Sequence, residues 1–441
     1  MSEADAIASE ERPDHPPLHV RVAGEAVLVI PVLVAVAFVW RVAVSYPLTD
    51  EWLLFRNAMI AHDMGWHHPI STLAAMTWKV YEHPIILTNI FYLLVAPLFH
   101  YDSRALICVS LVCFATVLAV FRTQIAPNAW TALPAACVLF APSHYMDFGW
   151  GMDFIGTSSI TLTILGLTVF SRTVPEEPST TYVRRLSCAI CLIVVGLLCS
   201  GQSALGFPAL LVVGLVKRLS TRRRRALIVI TLLGSWAALA AIGALVDSHK
   251  VSIVRSIIVV LTAFGGTIVG TPPGMTSFPF GWTATLGLAI CISVIVCVWV
   301  AWRRGILSAL ALPLGLFTFG SLLTAAVAAG RPYLGNWHLM AALPATLGAY
   351  GAVLVLARHA RSPSTLALQA VMTALLGLVV IGYWVGFTVY GPLGAANNKR
   401  IAAYMDGYLD NPNASKPYVG TGGWDFDSAM ARFLKSNGPH R

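Results

Sequence analysis

Runs of about 20 apolar residues recur along the whole chain, the first starting near residue 24 and the last ending near residue 389. Each run is long enough to cross the hydrocarbon core of a bilayer as a helix. Within hydrocarbon the backbone must satisfy its own hydrogen bonds, and these runs lack the alternation of a barrel strand, so helices are the reading that remains. Charge usage agrees with this. Only 11% of the residues are Asp, Glu, Lys or Arg, while 57% are hydrophobic; an ordinary soluble domain carries about a quarter charged residues. The expected fold is an all-α polytopic membrane protein.

The apolar runs place spans at roughly 24–46, 104–122, 128–146, 155–171, 187–200, 203–216, 226–246, 282–302, 305–328, 338–357 and 365–389, about 11 in all. The stretch before them, Met1 to His19, is polar and of mixed charge rather than a signal peptide, so the first span is expected to act as an uncleaved signal. With the N terminus in the cytoplasm, 16 of the 29 Lys and Arg fall in cytoplasmic segments, among them Arg184, Arg185 and Arg222 to Arg225. That asymmetry follows the positive-inside rule. It also accounts for the net charge of +9, so the basic residues report topology and no nucleic-acid partner is expected.

Two apolar stretches stand outside this set. Counting only one of them as a span would turn every later basic loop outward. Residues 84–99 are short for a span and start at Pro84, which suits a helix lying at the membrane interface. Residues 253–270 hold Gly265-Gly266 and run into Thr271-Pro272-Pro273-Gly274, which suits a re-entrant or interfacial segment. The chain then divides into a cytoplasmic segment 1–23, an N-terminal membrane module 24–175 containing a long extracytoplasmic loop over 47–103, further membrane helices over 176–389, and an extracytoplasmic tail 390–441. The tail carries one short helix from Asp427 to Leu434. The eight cysteines lie in or at the ends of apolar runs without metal spacing, so helix packing is their expected role.

Ionisable groups are costly near hydrocarbon, so the placement of carboxylates is informative. Apart from Glu176, Glu177 and an N-terminal group ending at Glu25, every carboxylate falls on the extracytoplasmic side. Asp50-Glu51-Trp52 comes directly after the first span. Two readings stay open there: Thr49 or Asp50 caps the helix that follows, or a carboxylate partly desolvated at the boundary acts as a base. The same loop carries Tyr81-Glu82-His83-Pro84, where His83 at the start of the interfacial helix suits an anionic headgroup. A second loop places Asp147, Trp150 and Asp153 within seven residues of one another. It reads either as an interfacial aromatic belt or as a sugar-binding wall of rings and carboxylates. A later loop, Gly330-Arg331-Pro332-Tyr333, exposes an arginine against the positive-inside trend. Phosphate binding by its guanidinium fork stands there beside a structural ion pair.

This order of motifs resembles the GT-C superfamily of membrane glycosyltransferases. Its members share an acidic motif after the first span, a long first extracytoplasmic loop with interfacial helices, and a second acidic loop between the third and fourth spans. Thr49-Asp50-Glu51-Trp52 is similar to an acidic-Trp motif of uncharacterised bacterial relatives, and Ala141-Pro142-Ser143-His144 through Gly151 to a second of their motifs. Glu82-His83 matches part of a Glu-His-Arg motif, with Pro84 where the Arg would stand, and Gly330-Arg331 lacks the Arg-Tyr continuation. The resemblance implies a bacterial inner-membrane enzyme that moves a sugar from a polyprenyl-phosphate donor to an envelope glycan or glycolipid acceptor. By it Asp50 is the catalytic base and Glu51 supports or substitutes for it. Trp52, Glu82, His83, Asp147, Trp150, Asp153, Arg331 and Tyr333 line the donor and acceptor site. The acidic loops carry donors suited to a divalent cation such as Mg or Mn, whereas members using lipid monophosphate donors often need none, so metal dependence stays open. Two other functions remain in view, a transporter or lipid flippase and a non-catalytic partner in envelope glycan assembly. A transporter would place ionisable groups near the midplane, and no carboxylate falls well inside any expected span.

Overall fold

A computed structural model of the chain describes residues 18–45, 51–64, 79–80, 83–144, 151–243, 252–270, 280–330, 338–359, 377–410 and 428–437. The protein is an all-α polytopic membrane protein. Among the described residues eight helices are long and apolar enough to cross a bilayer: Val22–Val42, Ser103–Gln124, Gly151–Ser171, Ser179–Cys199, Gly281–Arg303, Leu307–Ala329, Leu339–Arg358 and Gly377–Arg400. These coincide with eight of the expected spans. Of the other three, 128–146 and 203–216 form shorter helices and 226–246 belongs to a helix that starts among arginines.

The chain begins with α1 (Leu18–Val42), then α2 (Glu51–Met64). A two-residue antiparallel pair follows, β1 (Lys79–Val80) with β2 (His83–Pro84), in which Lys79 faces Pro84 and Val80 faces His83. Next come α3 (Ile86–Val95), extended by a 3-10 turn at Ala96–Phe99, and α4 (Ser103–Gln124). Helix α5 (Ala129–Leu139) is capped by Asn128, whose side chain accepts from the Thr131 backbone while Thr131 reaches back. It stops seven residues short of the expected end of this span, because Pro142 lacks the N–H that would continue the helix; the chain instead makes a 3-10 turn at Pro142–His144. A second 3-10 turn, Gly151–Asp153, leads into α6 (Phe154–Ser171).

The helices that follow are α7 (Ser179–Cys199), α8 (Gly206–Val216), α9 (Thr221–Gly243), α10 (Ile253–Val269), α11 (Phe280–Arg303), α12 (Ala311–Gly330) and α13 (Leu339–Arg358). The stretch read from the sequence as re-entrant or interfacial forms one helix, α10, which runs through both Gly265 and Gly266. Their function is close approach: a Cβ on Gly265 would collide with the Thr283 backbone, and one on Gly287 with the Leu261 backbone, so α10 and α11 pack main chain against main chain. In lipid such small-residue contacts supply the dispersion energy that hydrophobicity cannot supply between helices.

The last membrane helix, α14 (377–385), does not end at the expected tail boundary of 390. It passes through a π-helical turn, Gly386–Tyr390, into α15 (Gly391–Asp410). Pro392 cannot donate to the preceding turn, and the wider π turn absorbs the mismatch without ending the helix. Asn398 donates to the Val42 carbonyl at 3.1 Å and ties α15 to the end of α1. A final short helix, α16 (Ser428–Asn437), falls close to the expected 427–434.

Buried side chains form two groups. The large one fills the space between the spans, with Phe121, Phe140, Phe170, Phe264 and Phe319 fully enclosed. The smaller one joins α2, α3, the start of α4, the start of α6 and α16. At one end of the bundle arginines bind the loops together. Arg122 pairs with Glu25 at 2.7 Å, Arg185 with Glu177 at 2.7 Å and with the Arg172 carbonyl, and Arg358 reaches the Ile125 carbonyl. The smaller group lies at the opposite end, where α1 finishes and α2, α4 and α6 begin.

Candidate functional site

Glu51 is the first residue of α2, where a carboxylate suits the exposed N–H groups and the positive end of the helix dipole. Its side chain is fully buried, at 0% exposure. An ionised group so placed needs partners. Ser103, the first residue of α4, donates its hydroxyl to Glu51 Oε1 at 2.6 Å. Gly151 closes the other side: a Cβ there would stand 2.8 Å from Oε1 and 2.9 Å from Oε2. The carboxylate therefore bolts together three chain segments that are 52 and 48 residues apart, and Asp153 follows two residues after its contact at Gly151.

Asp153 ends the 3-10 turn and stands at the N-cap position of α6, half-buried. The Thr157 hydroxyl has the Asp153 carbonyl and the Ser110 hydroxyl as alternative acceptors, each at 3.2 Å. A fourth segment arrives through α3. Tyr92 is buried against this cluster, and its hydroxyl has no hydrogen-bond partner among the described residues. Burial, then the Glu51 charge, then Tyr101 push the Tyr92 phenol well above its ordinary pKa. Tyr92 therefore stays a neutral phenol, a donor held beside an acceptor-rich site.

The surrounding frame is well tied. Asn57 of α2 donates to Asn89 of α3 at 3.1 Å, and Thr88 donates to the Cys199 carbonyl at the end of α7 at 2.9 Å. His100 and Tyr101 both take positive φ, 52° and 58°, a conformation uncommon outside glycine. That turn sends the Tyr101 ring into an aromatic cluster with Phe55 and with Phe433 of α16, at centroid separations of 5.5 and 5.4 Å. Phe433 also meets Phe55 at 5.5 Å and His62 at 5.2 Å. The C-terminal helix is thus packed onto the first loop beside the acidic cluster.

Of the residues expected in the site, the structure joins Glu51 with the turn that carries Asp153. Trp52 is the second residue of α2, and His83 lies in β2 against the end of α7 and the Gly201–Leu205 turn. Asp50, Glu82, Asp147, Trp150, Arg331 and Tyr333 lie outside the described residues. Asp50 directly precedes Glu51 in the sequence. Ser103 and Tyr92 are missed by sequence reasoning. Ser103 reads as the edge of an apolar span, and Tyr92 as one more aromatic in an interfacial helix; neither carries a charge that would single it out. Among the described residues no group of three His, Cys, Asp or Glu side chains stands close enough to hold a metal ion. No family model, curated protein or solved structure matches this chain.

Proposed function

We propose that this chain is a membrane glycosyltransferase that moves a sugar from a polyprenyl-phosphate donor to an envelope glycan or glycolipid acceptor on the extracytoplasmic face. One observation carries the reading. The fully buried Glu51 carboxylate draws the segment after the first span, the start of α4 and the second acidic loop into one cluster. A helix cap alone needs none of these long-range partners. The half-buried Asp153 carboxylate in the turn that Glu51 holds suits a polyhydroxylated ligand, because each sugar hydroxyl both donates and accepts.

In this reading the acceptor hydroxyl attacks the anomeric carbon of the donor sugar and passes its proton to Asp50. The new carbon–oxygen bond forms as the bond from that carbon to the phosphate oxygen breaks, and the bonding pair leaves with the polyprenyl phosphate. Carboxylates near the sugar stabilise its oxocarbenium character, as in other glycosyl transfers between paired acids. Glu51 is enclosed and already accepts from Ser103, so its part is to position the Asp50 and Asp153 segments. Arg331, and His83 at the head of the interfacial segment, neutralise the departing phosphate. The N terminus and the arginine-tied end of the bundle lie in the cytoplasm, which puts the acidic cluster outside.

The test is transfer by purified full-length protein from a radiolabelled polyprenyl-phosphate sugar. Asp50→Asn is expected to lower turnover by at least about 100-fold, the range of a lost general base, while gel filtration shows an intact protein. Transfer at the wild-type rate would remove Asp50 from the mechanism. Arg331→Ala is expected to raise the donor KM with a smaller change in kcat.

A further inference from the structure

We propose that the outward face of α9 is a binding site for one anionic phospholipid. Helix α9 opens with Arg222-Arg223-Arg224-Arg225 and continues as an apolar helix. At 100° per residue, Arg222, Arg225, Val229, Leu232, Leu233 and Trp236 fall within an arc of about 100°. This face is exposed along its length: Val229 is 54%, Leu232 63%, Leu233 62% and Trp236 71% accessible. The opposite face carries the packing. Leu227 and Thr231 are buried, Thr231 donates to the Phe207 carbonyl at 3.4 Å, and Gly234 rests on the Phe207 ring.

The arginines at this end of the bundle divide into two groups. Most are used internally: Arg122 on Glu25, Arg185 on Glu177, Arg358 on Ile125, Arg304 on the His359 carbonyl, and Arg303 over Trp299 and Trp302. Within the α9 run, Arg223 donates to the Pro175 and Glu177 carbonyls and stacks on Tyr182 at 4.8 Å. The side chains of Arg222 and Arg225, like those of Arg184, Arg218 and Arg224, are exposed and make no hydrogen bond or ion pair among the described residues. What sets Arg222 and Arg225 apart is their place: one turn from each other on α9, directly above its exposed apolar stripe.

That combination matches the chemistry of an anionic phospholipid. Arg222 and Arg225 present forked donors to a headgroup phosphate. The stripe from Arg225 to Trp236 rises about 17 Å at 1.5 Å per residue, close to the roughly 15 Å that one leaflet contributes to a 30 Å hydrocarbon core. One acyl chain therefore has apolar contact from the glycerol to the midplane. Charge selects the partner: a second copy of this chain would bring the same arginines, and a neutral lipid would leave them without a net countercharge.

The test uses the delipidated full chain in detergent, titrated with dioleoyl phosphatidylglycerol, with dioleoyl phosphatidylcholine and inorganic phosphate as separate arms, and reads bound lipid by native mass spectrometry. Phosphatidylglycerol is expected to bind more tightly than phosphatidylcholine, and R222Q/R225Q to weaken it roughly 30-fold, about fivefold for each arginine near a membrane surface. Inorganic phosphate at millimolar concentration is expected not to displace the lipid. Equal binding of the two lipids, unchanged affinity in R222Q/R225Q, or displacement by free phosphate would each overturn the proposal. A measurement with the native arginines checks it independently of that variant. Phosphatidylglycerol with brominated chains should quench a tryptophan component that W236F removes, and identical quenching in W236F would count against the site. Disulfide-linked dimers of L233C in an otherwise cysteine-free chain would reassign the face to a second copy.

Discussion

At the scale of single residues, the molecule turns on one enclosed charge. Glu51 has no access to solvent and accepts from Ser103 at 2.6 Å. A hydrogen bond to a buried charged group is worth more than a neutral one, so Ser103→Ala is expected to cost about 2 kcal/mol. Unfolding in increasing SDS measures this, and a midpoint equal to wild type would show that Glu51 does not depend on Ser103. Gly151→Ala acts on the same carboxylate from the other side, since its new Cβ would stand within 3 Å of both oxygens. The acidic motif itself is plain in the sequence, because carboxylates are scarce in a chain of this composition. Its partners are not. Serine, glycine and tyrosine are ordinary in membrane helices, and only their position next to Glu51 gives them a role.

At the scale of elements, α16 is the least expected participant. The sequence suggests a short helix in a polar tail, and in the structure its Phe433 enters a cluster with Phe55, His62 and Tyr101. Removing a buried aromatic costs about 3 kcal/mol. Phe433→Ala is therefore expected to release the C-terminal helix, with proteolytic cleavage beyond Asp410 accelerated roughly 100-fold if cleavage follows the opening equilibrium. Unchanged proteolysis would mean that α16 is held by other contacts. The α10–α11 pair makes a parallel case. Gly265-Gly266 falls in a stretch read as re-entrant or interfacial, and the close approach of the Thr283 backbone gives Gly265 a packing role. Propensity alone cannot separate these readings, because a glycine that bends a helix and a glycine that admits a neighbour look the same in one strand of sequence. Gly265→Val is expected to abolish the monodisperse folded peak in gel filtration, whereas Ser293→Ala on the facing helix leaves it in place.

At the scale of the whole molecule, the two ends of the bundle have different chemistry. One end is held by arginines on carbonyls and carboxylates, the other by the buried acid and its aromatic surround. Cysteines placed one at a time in a cysteine-free background should report this polarity. Ser220→Cys is expected to resist a membrane-impermeant maleimide added from outside, and Asn336→Cys to react. The reverse pattern would invert the topology and with it the proposed site. The sequence by itself determined that the chain crosses a membrane repeatedly as helices, because unpaired backbone groups cannot be left in hydrocarbon and apolar length is written directly in the residues. It also determined where acids and bases gather, since each charge near lipid is costly enough to be rare. Only the tertiary structure decided that Glu51 meets Ser103 and Gly151, that α10 is continuous, that the π turn carries the last membrane helix past residue 390, and that α16 returns to the first loop. Those outcomes rest on packing between segments tens to hundreds of residues apart, where what matters is the shape and bonding of the facing surface, and no local pattern in the chain encodes that.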